Sequence, residues 1–257
     1  MKVLKQIFSG RQIIYALCLM PYALVGCSRP DPILPGHRTP IFGGTPTVIN
    51  TSVPDIGEIR SITEISDGRE FVQDNNNVIW EVRGDDRTRV FSGMPIANQT
   101  AGTRTVRRDN QNIYAGLSTG EFVAINKNTR RVVWMADIFQ RSAITGGAPI
   151  LDIIAPAEFW GDSIIVGGMG NAMCRLRTRD GRAIWCNDIS VGRPFITTTT
   201  TSFVVATSNY LYAIDNATGQ IFWRTSVRRN ATPNLAGGVI TVDRERFDAT
   251  TGTLIRR

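Results

Sequence analysis

Histidine is almost absent from this chain of 257 residues, whose only example is His37. A serine or cysteine nucleophile activated by histidine is therefore poorly supported, and so is a histidine-rich metal site. His37 itself stands among prolines and glycines, where a solvated side chain is the simplest interpretation. The sequence thus predicts no catalytic residue, no metal site and no enzyme.

Lysine is also scarce, because Lys127 is the only one after residue 26. The formal net charge is +7, and three of the basic residues, Lys2, Lys5 and Arg11, lie in the first 26 residues. The remaining basic residues are nearly all arginine, which can bind carboxylates or anionic headgroups bidentately but is often simply solvated. No basic stretch is interleaved with stacking aromatics, so we expect no nucleic-acid partner.

The chain has no apolar run of the roughly 20 residues that a membrane-spanning helix needs. Residues 13–26 are apolar or nearly so, and they follow a positively charged start. This arrangement is typical of a signal peptide, here residues 1–26. The run ends in Leu24-Val25-Gly26-Cys27, which resembles the lipobox of bacterial lipoproteins. That resemblance implies cleavage before Cys27 and lipid on its thiol; the alternative is a membrane anchor with an incidental cysteine.

Residues 27–58 form a second region, rich in proline, glycine and threonine. Such a composition predicts an extended tether, stiffened by its prolines. A lipidated amino-terminal cysteine carries more than one acyl chain, and two chains suffice for stable anchoring in a membrane. By resemblance to the enterobacterial sorting rule, Ser28 after the lipidated cysteine favours the outer membrane. We therefore expect a protein anchored by lipid to the periplasmic face of the outer membrane.

Residues 59–257 contain an internal repeat of strand, turn, strand, tight turn and a strand ending in tryptophan. The best copies end at Trp134, Trp185 and Trp223, and fainter copies end at Trp80 and at Arg256. These positions follow one another at an average of about 44 residues, as four-stranded propeller blades do. We predict an all-β propeller of about five blades in which these four tryptophans pack between blades; hairpins in a sandwich are the alternative.

The repeat resembles the PQQ-like β-propeller repeat, with Leu211-Tyr212-Ala213-Ile214-Asp215, Thr218-Gly219 and Trp223 as the best copy. Together with the lipobox it is similar to the BamB family of outer-membrane assembly lipoproteins. The stretch Leu34-Pro35-Gly36-His37-Arg38 resembles a segment that follows the tether in alphaproteobacterial members. The resemblance implies a non-catalytic scaffold that binds the barrel-assembly pore protein and unfolded outer-membrane proteins.

That family usually has eight blades, so this chain is expected to form a reduced propeller or an open ring. A strand near Ile41–Ile49 could join the ends. Two other functions stay open: a periplasmic quinone-dependent oxidoreductase, whose family shares the repeat, and a ligand-binding lipoprotein. The repeat alone does not establish cofactor binding, and we expect no cofactor.

Two cysteines, Cys174 and Cys186, remain after the signal peptide and the lipid site are set aside. They lie on neighbouring strands of one predicted hairpin, so a cross-strand disulfide is possible in an oxidising periplasm. Several arginine clusters are predicted at loops, where propellers bind partners. The sequence does not choose among them: Arg104 with Arg107 and Arg108, Arg130 with Arg131, and Arg228 with Arg229.

Overall fold

The structure is a computed structural model that describes residues 59–64, 68–94, 106–139 and 151–256. These residues form strands and turns, and none of them lies in a helix. No helix in this described part is therefore long and apolar enough to cross a membrane. The predicted signal peptide, Cys27, the tether and the strand near Ile41–Ile49 lie outside the described residues.

Twenty strands make up five antiparallel sheets of four strands each within the described residues, which confirms the predicted fold class. In every sheet the four strands are consecutive in the sequence. The first sheet contains β1 Ile59–Glu64, β2 Glu70–Asp74, β3 Val78–Arg83 and β4 Asp86–Ser92. The second contains β5 Arg107–Arg108, β6 Asn112–Gly116, β7 Glu121–Asn126 and β8 Val132–Asp137.

The other three sheets repeat this arrangement. The third contains β9 Glu158–Trp160, β10 Ser163–Gly168, β11 Ala172–Arg177 and β12 Ala183–Asn187. The fourth contains β13 Ile196–Thr197, β14 Thr201–Val205, β15 Tyr210–Asp215 and β16 Ile221–Ser226. The fifth contains β17 Pro233–Ala236, β18 Val239–Val242, β19 Glu245–Asp248 and β20 Leu254–Arg256.

The turns explain why the repeat has its sequence signature. Between the third and fourth strands of the fourth sheet, the Asp215 carboxylate accepts hydrogen bonds from the backbone N–H and the hydroxyl of Thr218. The next residue, Gly219, adopts a positive φ of 77° and closes the turn by donating its N–H to the Asp215 carbonyl. Asp248, Thr251 and Gly252 build the same turn in the fifth sheet.

Each pair of successive sheets shares one buried apolar cluster. The cluster between the second and third sheets holds Tyr114, Phe122, Trp134, Ile164 and Leu176, and the other three interfaces are built alike. Side chains along a strand point alternately to the two faces of its sheet. An internal sheet therefore contributes apolar side chains to the clusters on both of its faces. The core therefore consists of four layers between sheets.

One expectation differs from the structure. Trp80 was aligned with the tryptophans that end the repeat, which lie on the fourth strands β8, β12 and β16. Trp80 instead lies on β3, the third strand of its sheet, where its indole N–H donates to Asp74 at 3.0 Å. The first sheet has a two-residue turn at Gly84 and Asp85 in place of the longer repeat turn. Its third and fourth strands therefore lack the turn sequence by which the other copies can be aligned.

Candidate functional site

Three of the predicted tryptophans do pack between sheets, each against the turn glycine of the next sheet. A Cβ atom built on Gly181 would lie 2.5 Å from the ring of Trp134, and one on Gly219 would lie 2.7 Å from that of Trp185. Trp223 meets Gly252 in the same way. The indole N–H of Trp185 also donates to the Asn216 carbonyl at 2.9 Å. Tryptophan and glycine thus form a matched pair across each of these three interfaces.

The first interface lacks this pair. Glu81 stands four residues after the left-handed turn residue Asn77, as Ala124 stands four after Gly120. Ala124 pairs across the strands with Trp134, whereas Glu81 pairs with Thr88. In the second sheet the position of the turn glycine is held by Arg130, with φ of 57°. The first interface therefore has threonine in place of tryptophan and arginine in place of glycine.

Charged groups occupy the position left by the indole ring. The carboxylate of Glu81, only 2% exposed, accepts from Nε of Arg83 at 3.0 Å and from Nε of Arg130 at 3.0 Å. A terminal nitrogen of Arg130 lies 2.9 Å from the same carboxylate, and one of Arg69 lies 3.9 Å away. Beside them is a cleft of about 280 Å³, lined by Glu81, Arg83, Asp86, Arg87, Thr88 and Arg130.

The two cysteines meet across β11 and β12. Cys174 and Cys186 are cross-strand partners, their Cα atoms are 4.1 Å apart and their sulfur atoms are joined. Cys174 is buried in the layer between the second and third sheets, whereas Cys186 is exposed. Both line a cleft of about 500 Å³ together with Met135, Ile138 and Arg182.

Exposed apolar side chains concentrate on the fourth strands of the sheets. Met135 on β8 is 56% exposed and Phe222 on β16 is 54% exposed. Further exposed apolar residues lie on these two strands and on the fourth strands β12 and β20, namely Val132, Val133, Ile184, Ile221, Leu254 and Ile255. Isolated exposed apolar residues are ordinary, but a recurrence on one strand of successive sheets offers binding surface at the sheet edges.

Two polar groups, partly buried Glu158 on β9 and fully buried Tyr114 on β6, have shifted pKa values. Burial raises the pKa of Glu158, and the guanidinium of Arg107, 3.1 Å away, opposes that rise. Burial and the hydrogen bond to Asp109 raise the pKa of the Tyr114 phenol. Both groups are held by neighbours inside the sheet layers, so these shifts reflect packing and do not mark a proton-transfer site.

Among the described residues, no group of three or more histidine, cysteine, aspartate or glutamate side chains could hold a metal ion. Of the predicted arginine clusters, Arg130 belongs to the charged cleft, Arg107 pairs with Glu158 and Arg228 pairs with Glu245. Of these arginines, Arg130 is the one that lines a cleft between the first and second sheets.

The repeat and the fold agree with a family model described as outer membrane protein assembly factor BamB, which matches residues 53–225 and 169–254. The chain belongs to the BamB family. BamB from Moraxella catarrhalis is similar in structure, with a TM-score of 0.58 and 17% identity over 76% of this chain and 62% of that one. No curated protein matches the sequence.

Other solved propellers resemble this BamB-family chain to a similar degree. Quinohemoprotein alcohol dehydrogenase from Comamonas testosteroni gives a TM-score of 0.61 at 14% identity, over 78% of this chain and 42% of that one. The computationally designed Ika8 protein gives 0.56 at 10% identity, over 77% and 60%. These likenesses show the propeller fold alone. The chain spans less than two thirds of the length of each of these structures.

The sequence did contain a signal for the charged cleft. Asn126 and Thr129 align with Asp215 and Thr218, so Arg130 falls at the position of Gly219. An arginine at the left-handed position of the repeat turn indicates that no indole ring can pack there. Its partner Glu81 carried no such signal, because the first repeat was aligned through Trp80.

Proposed function

We propose that this protein is a lipid-anchored periplasmic scaffold of the outer-membrane β-barrel assembly machinery. The observation that carries the proposal is the match of the BamB family model to residues 53–254 through two overlapping segments. Its partners would be the barrel-assembly pore protein and unfolded outer-membrane proteins.

The mechanism we propose is positional. Lipid on Cys27 would confine the propeller to the membrane plane and raise its effective concentration beside the pore. The sheets would present a rigid surface, since each internal sheet is packed on both faces by apolar side chains. Exposed apolar residues on the fourth strands, such as Met135 and Phe222, would contribute contact area to a partner.

The test is co-purification of the full-length protein from gently solubilised membranes. The proposal expects the barrel-assembly pore protein to co-purify at a stable ratio that survives dilution. Recovery of the propeller without any barrel-assembly subunit would contradict it. Another lipoprotein of the same membrane, tagged and purified in parallel, controls for non-specific capture through the lipid.

A second candidate is a quinone-dependent oxidoreductase, which is favoured by the structural likeness to the quinohemoprotein alcohol dehydrogenases. The absorption spectrum of protein purified from its natural host distinguishes the two candidates. A quinone chromophore that remains bound through purification would favour the enzyme, whereas pore-protein co-purification favours the scaffold.

A further inference from the structure

The cleft between the first and second sheets lies where other sheet interfaces hold an indole ring. Trp134, Trp185 and Trp223 fill this place in the next three interfaces. Here the equivalent position is Thr88, and the cleft of about 280 Å³ remains open beside it. The side chains of Glu81 and Arg130 occupy part of the indole position, and the open cleft beside them has room for a group from another molecule.

The guanidinium groups at this cleft retain donors for such a group. Arg83 is 58% exposed and Arg130 is 45% exposed, although both bind the buried Glu81. Each guanidinium carries five N–H donors, and the bonds to Glu81 use one donor of Arg83 and two of Arg130. The lining contains three arginines against two carboxylates, Glu81 and Asp86, so it favours an anion.

The strand beside the cleft has one edge that pairs with no other described strand. Within the described sheets β4 pairs with β3 alone, and residues Asp86–Arg89 are all exposed. An exposed edge can accept an extended segment of another chain through backbone hydrogen bonds. Arg87 and Arg89 on this edge would repel a second copy of the same strand and attract an acidic one.

We infer that this cleft binds an extended acidic segment of a partner protein, with one carboxylate of that segment held by Arg83 and Arg130. An arginine fork matches a carboxylate geometrically, and Arg130 already places Nε and a terminal nitrogen on one oxygen of Glu81, while Arg83 contacts the other oxygen through Nε. The exposed edge of β4 beside the cleft favours an extended peptide over an isolated anion, because a free phosphate could not pair with the backbone groups of that edge. The inference stands whether or not the scaffold function holds.

The experiment measures binding of a fluorescent peptide of alternating aspartate and threonine to the full-length protein in detergent. The Arg83→Gln variant should bind the peptide about tenfold more weakly, because a charged hydrogen-bond donor is lost. The Glu81→Gln variant should bind it more tightly, since the competing internal carboxylate is neutralised. Opposite effects of two substitutions at one cleft would not arise from a merely structural role.

Matched controls make the outcome decisive. Arg179→Gln also breaks an exposed pair, Arg179 with Asp180, but lies in the turn of the third sheet and should leave peptide binding unchanged. A peptide with asparagine in place of aspartate should not bind. Unchanged affinity of Arg83→Gln would overturn the proposal. Arg83-dependent binding to phosphatidylglycerol vesicles or inorganic phosphate, without binding to the peptide, would also overturn it.

Discussion

Gly219 shows at the scale of one residue why the repeat conserves its pattern from sheet to sheet. Its φ of 77° lies in the left-handed region, and its missing side chain admits the ring of Trp185. Position 219 therefore requires glycine for two reasons, its left-handed backbone and the space taken by the indole ring. Gly161 has a φ of 58° as well, but no atom lies within 4 Å of a Cβ built on it.

These two glycines make a matched pair of substitutions. Gly161→Ala should lower the free energy of unfolding by about 1 kcal/mol, the cost of a left-handed conformation. Gly219→Ala should cost about 2 kcal/mol more, because its methyl group would also meet the Trp185 ring. Chemical denaturation of the two variants measures the difference. Equal losses would contradict the proposed role of the tryptophan contact.

Asp215 illustrates a second local effect, on pH dependence. Hydrogen bonds from Thr218 lower the pKa of this carboxyl below its usual value, and the same contacts from Thr251 act on Asp248. A lowered pKa means that the stabilisation is present above the usual value of 3.8 and is lost as pH falls through the folded value. Asn126 accepts the equivalent bonds in the second sheet without titrating.

We therefore expect Asp215→Ala to reduce the free energy of unfolding at pH 7 by about 1 kcal/mol, since exposed hydrogen bonds to a carboxylate are lost. The deficit should shrink as the pH falls from about 3.8 towards the lower pKa of the folded protein, because the carboxyl of the unfolded chain takes up its proton first. Asp215→Asn should retain most of the stability at pH 7. A deficit of Asp215→Ala that stays constant with pH would show that the charge does not contribute.

At the scale of the strands and sheets, sequence periodicity predicts most of the fold and fails at the first sheet. The copies ending at Trp134, Trp185 and Trp223 were predicted correctly because turn chemistry and strand pattern coincide there. The alignment of Trp80 with the other tryptophans is wrong, because the aspartate, threonine and glycine of the repeat turn do not precede it. The pairing of Glu81 with Arg130 joins residues on different sheets, so no local pattern could reveal it.

Restoring the repeat pattern at the first interface tests this account of the cleft. The triple variant Glu81→Ala, Thr88→Trp and Arg130→Gly should fill the cleft with an indole ring packed on glycine. We expect it to gain about 2 kcal/mol in the free energy of unfolding by filling a cavity and relieving a left-handed arginine. Thermal unfolding checks this gain.

Two comparisons accompany the triple variant. Thr88→Trp alone should be destabilising, because its ring would meet the side chain of Arg130. The triple variant should also lose binding of the acidic peptide, since the arginine fork and the free volume both disappear. A triple variant less stable than the wild type would mean that the first interface does not follow the geometry of the others.

The disulfide that joins Cys174 on β11 to Cys186 on β12 gives another prediction at the scale of the strands. Thiol labelling of the mature denatured protein without reductant should find no free thiol at Cys174 or Cys186. After reduction both should react. The Cys174→Ser variant serves as the control, because it should expose exactly one reactive thiol, that of Cys186. Two labelled thiols without reductant would contradict a disulfide in the mature protein.

At the scale of the whole molecule, the proposed scaffold depends on attachment at Cys27. Cys27→Ser should abolish labelling of the protein by radioactive palmitate, because the thiol that would carry the lipid is lost. Cys18→Ser is the matched control within the same predicted signal peptide and should leave the labelling unchanged. Labelling of Cys27→Ser at the wild-type level would contradict the lipid anchor.

The order of strands within each sheet has a consequence for how an exported chain acquires its structure. Every described sheet is made of four strands adjacent in the sequence, so pairing within it requires only short loops to close. A polypeptide that enters the periplasm amino terminus first could complete the first sheet before the residues of the second emerge. Each new sheet would then pack its apolar face against a neighbouring sheet that has already formed.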